Sequence, residues 1–399
     1  MSFPDQFNPN NRDLFRVLVE IFSDPQRLQW ELASELARVS SGVDGKDANV
    51  DPIARSKLEE IFHAAELLVS SSQDFSMGSS VYGTPNIITP PEWALVTLAE
   101  WKPLLSVVAN AHAQQFKFEP RMQTDDGFNP IDMGGMFGQA AQALGPALIG
   151  MQIGTSIGNV ARRTFGNFDI PIPRESKTTV CLVSTNIESF ANDWSLSLED
   201  VALWASIREI ATAQLLDIPH ISQALLEPLN SYAMNFSPDA GALEDKLSAI
   251  DITDLSDFSQ MQSIFGDPSL ISASTPTPLQ REAMEQSSTM FSLIEGWAEY
   301  VASTLSSKLI SSHGPLTEAL RRARVEREEE QDYLDIFLGL NTTQEQIDLG
   351  AKFVNGLVER IGPARLGEIW KDAAHLPTPA ELDAPGLWIE RVSFLDASY

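Results

Sequence analysis

The stretch LEDVALWASIREIATAQLLDIPH, Leu198 to His220, decides how the rest of the chain is read. Ser197 stands just before it and Asp200 three residues later, the capping-box pattern that satisfies the orphan N–H groups at the start of a helix. Pro219 predicts its end or a kink, because proline has no N–H to give and clashes with the preceding turn. Arg208 and Glu209 interrupt an otherwise apolar run. Taken alone, such a pair reads as ordinary charge on an amphipathic helix.

Working outward on the N-terminal side, residues Asp13 to Arg38, Lys57 to Leu68 and Pro91 to Gln115 carry apolar residues at helical spacing, which predicts an N-terminal helical lobe over residues 1–122. QTDDGFNPIDMGGMFG, Gln123 to Gly138, is rich in Gly, Asp and Pro and predicts a flexible connection. From Met133 to Ala161 there is no charged residue, and Gly150, Gly154 and Gly158 recur at the four-residue spacing that lets helices approach closely. The run is long enough to cross a bilayer. Gln139, Gln142, Gln152, Asn159, the many glycines and an interrupting Pro146 make it only weakly apolar, so a closely packed internal helix is expected and no membrane span. The connection and this helix make up residues 123–170.

The third region, residues 171–399, opens with FDIPIPRESKTTVCLVSTNIESF just across its boundary. Pro171 and Pro173 disfavour a helix, while the β-branched density of TTVCLV predicts a short strand or two. Beyond the opening helix, a second long helix is predicted from Pro278 to near His313. Leu316 to Phe337 is charge-laced, with Glu318 and Arg322 an i,i+4 pair in the favourable order, and its arginines read as a solvated face. A helix over Gln344 to Ile361 precedes a proline-rich tail, expected to be packed and irregular.

Composition narrows the function. Hydrophobic residues make up 43% and charged residues 21% of 399, ordinary usage for a folded, soluble chain with a substantial core. Lys and Arg number 27 against 55 Asp and Glu, a formal net charge of -28. A surface that acidic repels phosphate backbones and anionic lipid, so nucleic acid is not an expected partner. The one cysteine, Cys181, cannot make an internal disulfide, and MSFPDQFNPNNRDLF lacks a basic region followed by an apolar run; a cytoplasmic location is the expectation. Cys181 lies among Val180, Leu182 and Val183 and reads as a buried structural thiol. There is no P-loop or dinucleotide fingerprint, and no two of His63, His112, His220, His313 and His375 stand at i,i+4.

The order of features nevertheless resembles a known family. A Gly-rich helix is followed by RRTFGNFDIPIPR (Arg162 to Arg174), a strand leading to Asn186, a W-x-x-x-x-E helix with Trp204 and Glu209, and LIEGWAEYV (Leu293 to Val301). FLGLNTTQEQIDLGAKFVNGLVERIG, then IW and LPTPAEL, close the series. This is similar to the zincin-type family of actinobacterial zinc-dependent metalloproteases and hydrolases. In that family the helix carries His-Glu-x-x-His and a downstream Glu-Gly-aromatic motif supplies a third ligand. Two histidines at i and i+4 share a helix face, zinc takes both plus a carboxylate, and the remaining position holds a water that the motif Glu polarises.

Carried onto this chain, the resemblance places Arg208 at the first His position, Glu209 at the Glu position, Thr212 at the second His position and Glu295 at the third ligand. Arginine has no acceptor and a threonine hydroxyl is a poor zinc donor, so loss of metal is the expectation and no cofactor is assigned, although active relatives carry zinc. Glu295 then needs another counter-charge, and Arg208 is the candidate, its guanidinium reaching Glu295 and Glu299. Trp204, Trp297 and His220 are expected to line the site, with a zinc site rebuilt on His220, Glu209 and Glu295 as a minor alternative. The expected fold class is mostly α, a zincin-like helical body with a small β element and an N-terminal helical lobe, in which the helices bearing Glu209 and Glu295 face each other. The expected function is a pseudoenzyme with a degenerate His-Glu-x-x-His motif, retained to bind a protein or peptide or for a structural role. The alternative is an active zinc-dependent hydrolase with atypical ligands.

Overall fold

A computed structural model describes residues 29–42, 49–72, 75, 82–113, 133–174, 180–236, 276–307, 309–328, 333–340 and 343–397. The described α-helices are α1 (Trp30–Ser41), α2 (Pro52–Ser71), α3 (Pro90–Glu100), α4 (Lys102–Ala113), α5 (Met133–Ala161), α6 (Ser184–Asp193), α7 (Leu198–Leu216), α8 (Pro219–Met234), α9 (Pro278–Ser306), α10 (His313–Glu328), α11 (Tyr333–Leu338), α12 (Gln344–Ile361), α13 (Pro379–Asp383) and α14 (Pro385–Ala397), with 3-10 turns over Pro363–Trp370 and Ala373–His375. Two three-residue strands, β1 (Asn86–Ile88) and β2 (Cys181–Val183), pair in parallel with Ile87 opposite Leu182. The fold is mostly α, as expected, with one small β element.

The opening stretch becomes the central helix. Ser197 caps α7 by accepting from the Asp200 N–H, and from Val201 to Leu216 every residue except Leu203 is buried. A helix buried all round belongs inside a large core. It is enclosed by α2, α6, α8 and α9. Pro219 does not kink it: α7 ends at Leu216 and Pro219 opens α8, where its missing N–H costs nothing.

Close helix contacts are made by glycine. A Cβ on Gly154 would meet the Ala33 backbone, and one on Gly158 would meet Ala37 and Ser40, so α5 packs directly on α1. Gly296 and Gly350 stand back to back where α9 crosses α12. α5 runs unbroken through Pro146, contrary to the expected interruption, and the residues from Met133 onward are helix where a flexible connection was expected. Among the described residues no helix is long and apolar enough to cross a membrane.

Other boundaries shift for local reasons. The helix expected over residues 91–115 is two, α3 and α4, because Pro103 has no N–H to give the Ala99 carbonyl. α9 stops at Ser306, and His313 opens α10. The charge-laced helix likewise divides into α10 and α11. The tail is less irregular than its prolines suggest, since Pro379 and Pro385 each occupy a first helical position. The helix expected from Asp13 and the connection from Gln123 lie partly outside the described residues.

Candidate functional site

Arg208 projects from α7 and Glu295 from α9, and the two meet at the centre of the molecule. Arg208 Nη2 donates to Glu295 Oε1 at 2.6 Å and also to Oε2, with the residues 4% and 1% exposed. Burial works against the charge on Arg208, but Glu295, Asp169 and Glu299 together outweigh it and hold its pKa above the ordinary arginine value. Burial pushes Glu295 upward, with Arg208 and Arg324 pulling it back in part. Reading Arg208 and Glu209 as surface charges is therefore overturned: tertiary packing around α7 encloses both.

Glu209, next along α7, faces elsewhere. Its two carboxylate oxygens each accept from the Phe168 N–H, both at 3.1 Å. A Cβ on Gly166 would strike this carboxyl group and the Cys181 carbonyl, so glycine lets the loop of residues 162–174 close over it. That loop is tied down by Trp93 Nε1 and Thr164 Oγ1, both donating to Gly166 O at 2.7 and 2.8 Å, and by Asn186 Nδ2 donating to Ala161 O and Thr164 O. Burial and then the neighbouring Asp169 push Glu209 well above the usual carboxylate range. Cys181 beside it is a buried thiol, raised to about 11 chiefly by burial.

On the Arg208 side lies a cavity of about 300 Å³. Trp204, Arg208, Glu295, Arg163, Asp169 and Arg324 supply its polar and aromatic wall. Arg208 and Arg324 both lie over the Trp204 ring, 5.6 and 6.0 Å from its centroid. Arg324 Nη2 donates to Glu299 Oε2 at 3.3 Å. The predicted Arg208–Glu299 hydrogen bond is thus replaced by one from Arg324, which approaches Glu299 from α10.

Of the predicted residues, the fold brings Trp204, Arg208 and Glu295 to one cavity wall. Glu209 does not line it. Thr212 lies one turn beyond Arg208, fully buried, its Oγ1 without a partner among the described residues. Trp297 packs edge-on to Phe75 and Trp370, with centroids 6.0 and 5.6 Å apart, and does not line the cavity. His220, the second residue of α8, does not line the cavity.

Sequence reasoning missed Arg324 and Asp169. Arg321 and Arg322 on α10 are exposed as expected, with side chains 60% and 64% accessible, whereas Arg324 turns inward at 15%. Helical phase held the signal: positions 320 and 324 lie one turn apart on one face, and Leu320 lines the same cavity. Asp169 was visible only as part of the quoted RRTFGNFDIPIPR motif.

The family metal can be tested against these donors. Both Glu295 oxygens are committed to Arg208, the guanidinium offers no lone pair, and Thr212 contributes one hydroxyl. No group of three or more His, Cys, Asp or Glu suited to a metal occurs among the described residues. The residues present do not fit zinc.

Residues 28–389 match the zincin-like metallopeptidase family. The chain belongs to that family. A solved structure similar in fold to this zincin-like chain is the crystal structure of a "putative hydrolase with a novel fold" from Chloroflexus aurantiacus. It superposes with a TM-score of 0.55 at 20% identity, covering 92% of this chain and 99% of the other. At that identity the likeness concerns the fold alone. No curated protein shows significant similarity to this zincin-like chain.

Proposed function

We propose that this zincin-like protein has exchanged its metal for an ion pair and works without peptidase chemistry, its cleft retained for binding a protein or peptide. The contact that carries the reading is Arg208 on Glu295, in which a buried cation occupies the carboxylate that relatives would offer to zinc. Glu209 supports it as well. A general base must be unprotonated and within reach of a water, yet this carboxyl is turned onto the Phe168 N–H and holds its proton to higher pH than usual. The competing reading, an active hydrolase with atypical ligands, would need donors beyond Arg208, Thr212 and Glu295.

The test is elemental analysis of untagged, dialysed protein beside the Arg208→His, Thr212→His double variant. The expected result is well under one zinc per chain for the wild type and about one for the variant, as a restored three-ligand site requires. Stoichiometric zinc in the wild type would overturn the proposal and move the search to His220 and the carboxylates around Glu295.

A further inference from the structure

The cavity between α7, α9, α10, α11 and the loop of residues 162–174 holds hydrogen-bonding capacity that the protein leaves unused. Arg208 gives only Nη2 to Glu295; its Nε is buried without an acceptor, and Nη1 has none among the described residues. Arg324 also gives one nitrogen, Nη2 to Glu299, among the described residues. A guanidinium carries five donor hydrogens and no acceptor, and a buried donor left unmade loses its hydration without return. Phe291, Leu320, Ile336 and Ile347 add apolar surface to the cavity lining.

We propose that this cavity binds a carboxylate carried on a small apolar group. The carboxylate is received by the unused Nη1 of Arg208 and the unused N–H groups of Arg324 beside Trp204, and the apolar part packs on Phe291, Ile336 and Ile347. Hydrogen bonds from a guanidinium N–H to a carboxylate are charge-assisted, and they are stronger where water is excluded. A volume of about 300 Å³ lies at the small end of ligand pockets, suited to a group of leucine size. Asp169, Glu295 and Asp335 on the same walls oppose a second negative charge, which restricts the ligand to one carboxylate. This rests on the metal-free reading of the cleft, because a zinc ion there would itself take a carboxylate.

The test is calorimetric titration of the full chain, treated with 1,10-phenanthroline and dialysed, with 4-methylpentanoate, N-acetyl-leucine and leucine, each beside its amide. At least one acid is expected to bind, its amide at least about tenfold more weakly, the loss expected of one charge-assisted contact. The tightest acid identifies the source as a simple acid, a peptide C-terminus or a free amino acid. Arg324→Gln, which keeps Arg208 and Glu295 themselves, is expected to weaken that acid by a similar factor while the variant retains the wild-type circular dichroism spectrum. Absence of binding by all three acids, equal binding of acid and amide, or unchanged binding by Arg324→Gln would each overturn the proposal. Metal analysis separates the two readings. Zinc in untreated protein, with acid binding lost on its removal, overturns both, whereas metal-free protein that binds no acid overturns this inference alone.

Discussion

At the scale of single residues, the Arg208–Glu295 pair is a mutual dependence. Each charge is tolerable inside the protein only because the other is there, and removing one leaves an uncompensated buried ion, a loss of about 3–5 kcal/mol. Arg208→Met is therefore expected to lower stability by that order in urea unfolding. Adding Glu295→Leu should recover most of the loss, since an apolar pair of similar volume replaces a buried salt bridge at little net cost. A double variant as unstable as the single one would show that the pair does more than balance charge. Glu209 yields a prediction in pH. Its folded pKa is raised, so the folded state binds the proton more tightly than the unfolded chain. Its contribution is complete below the unfolded value near 4.5 and is lost as pH rises through the folded value. Glu209→Gln keeps an acceptor for the Phe168 N–H, and unfolding midpoints across that range are expected to fall less steeply than in the wild type. Part of the slope should persist, because Glu295 is shifted in the same direction. An unchanged slope would exclude Glu209 as a contributor.

Among elements, the seam between α1 and α5 is the most exacting. Alanine is normally about 1 kcal/mol better than glycine inside a helix. At position 154 the added methyl would meet backbone atoms of Ala33, which cannot swing away as a side chain can. Gly154→Ala is expected to destabilise by about 1–3 kcal/mol, the usual cost of overpacking. Gly367→Ala serves as a control, since a Cβ there meets nothing within 4 Å, and should change stability by no more than about 0.5 kcal/mol. Equal thermal shifts in the two variants would contradict the close approach. Glycine spacing announced this seam in the sequence without naming the partner: i, i+4 periodicity marks a face, and α1 lies more than a hundred residues earlier.

In the whole molecule, the helices around α7 were legible because their apolar periodicity, caps and prolines act locally. Misplaced boundaries came from local chemistry given the wrong sense: Pro379 and Pro385 were read as irregularity, yet each begins a helix. β1 escaped notice because three residues, Asn86 to Ile88, are too few for alternation to register, and their partner β2 is some 95 positions away. Chain composition and motif order sufficed for a mostly α protein of zincin-like kind. What required the tertiary structure was direction. Side chains adjacent on a helix diverge by about 100°, so Arg208 and Glu209 enter different surroundings. Which of them met Glu295, and whether Arg324 faced solvent or the same indole, depended on how α9, α10 and the loop of residues 162–174 close around α7. Local pattern specifies each helix and its apolar face; packing among distant segments determines where a buried charge finds its partner.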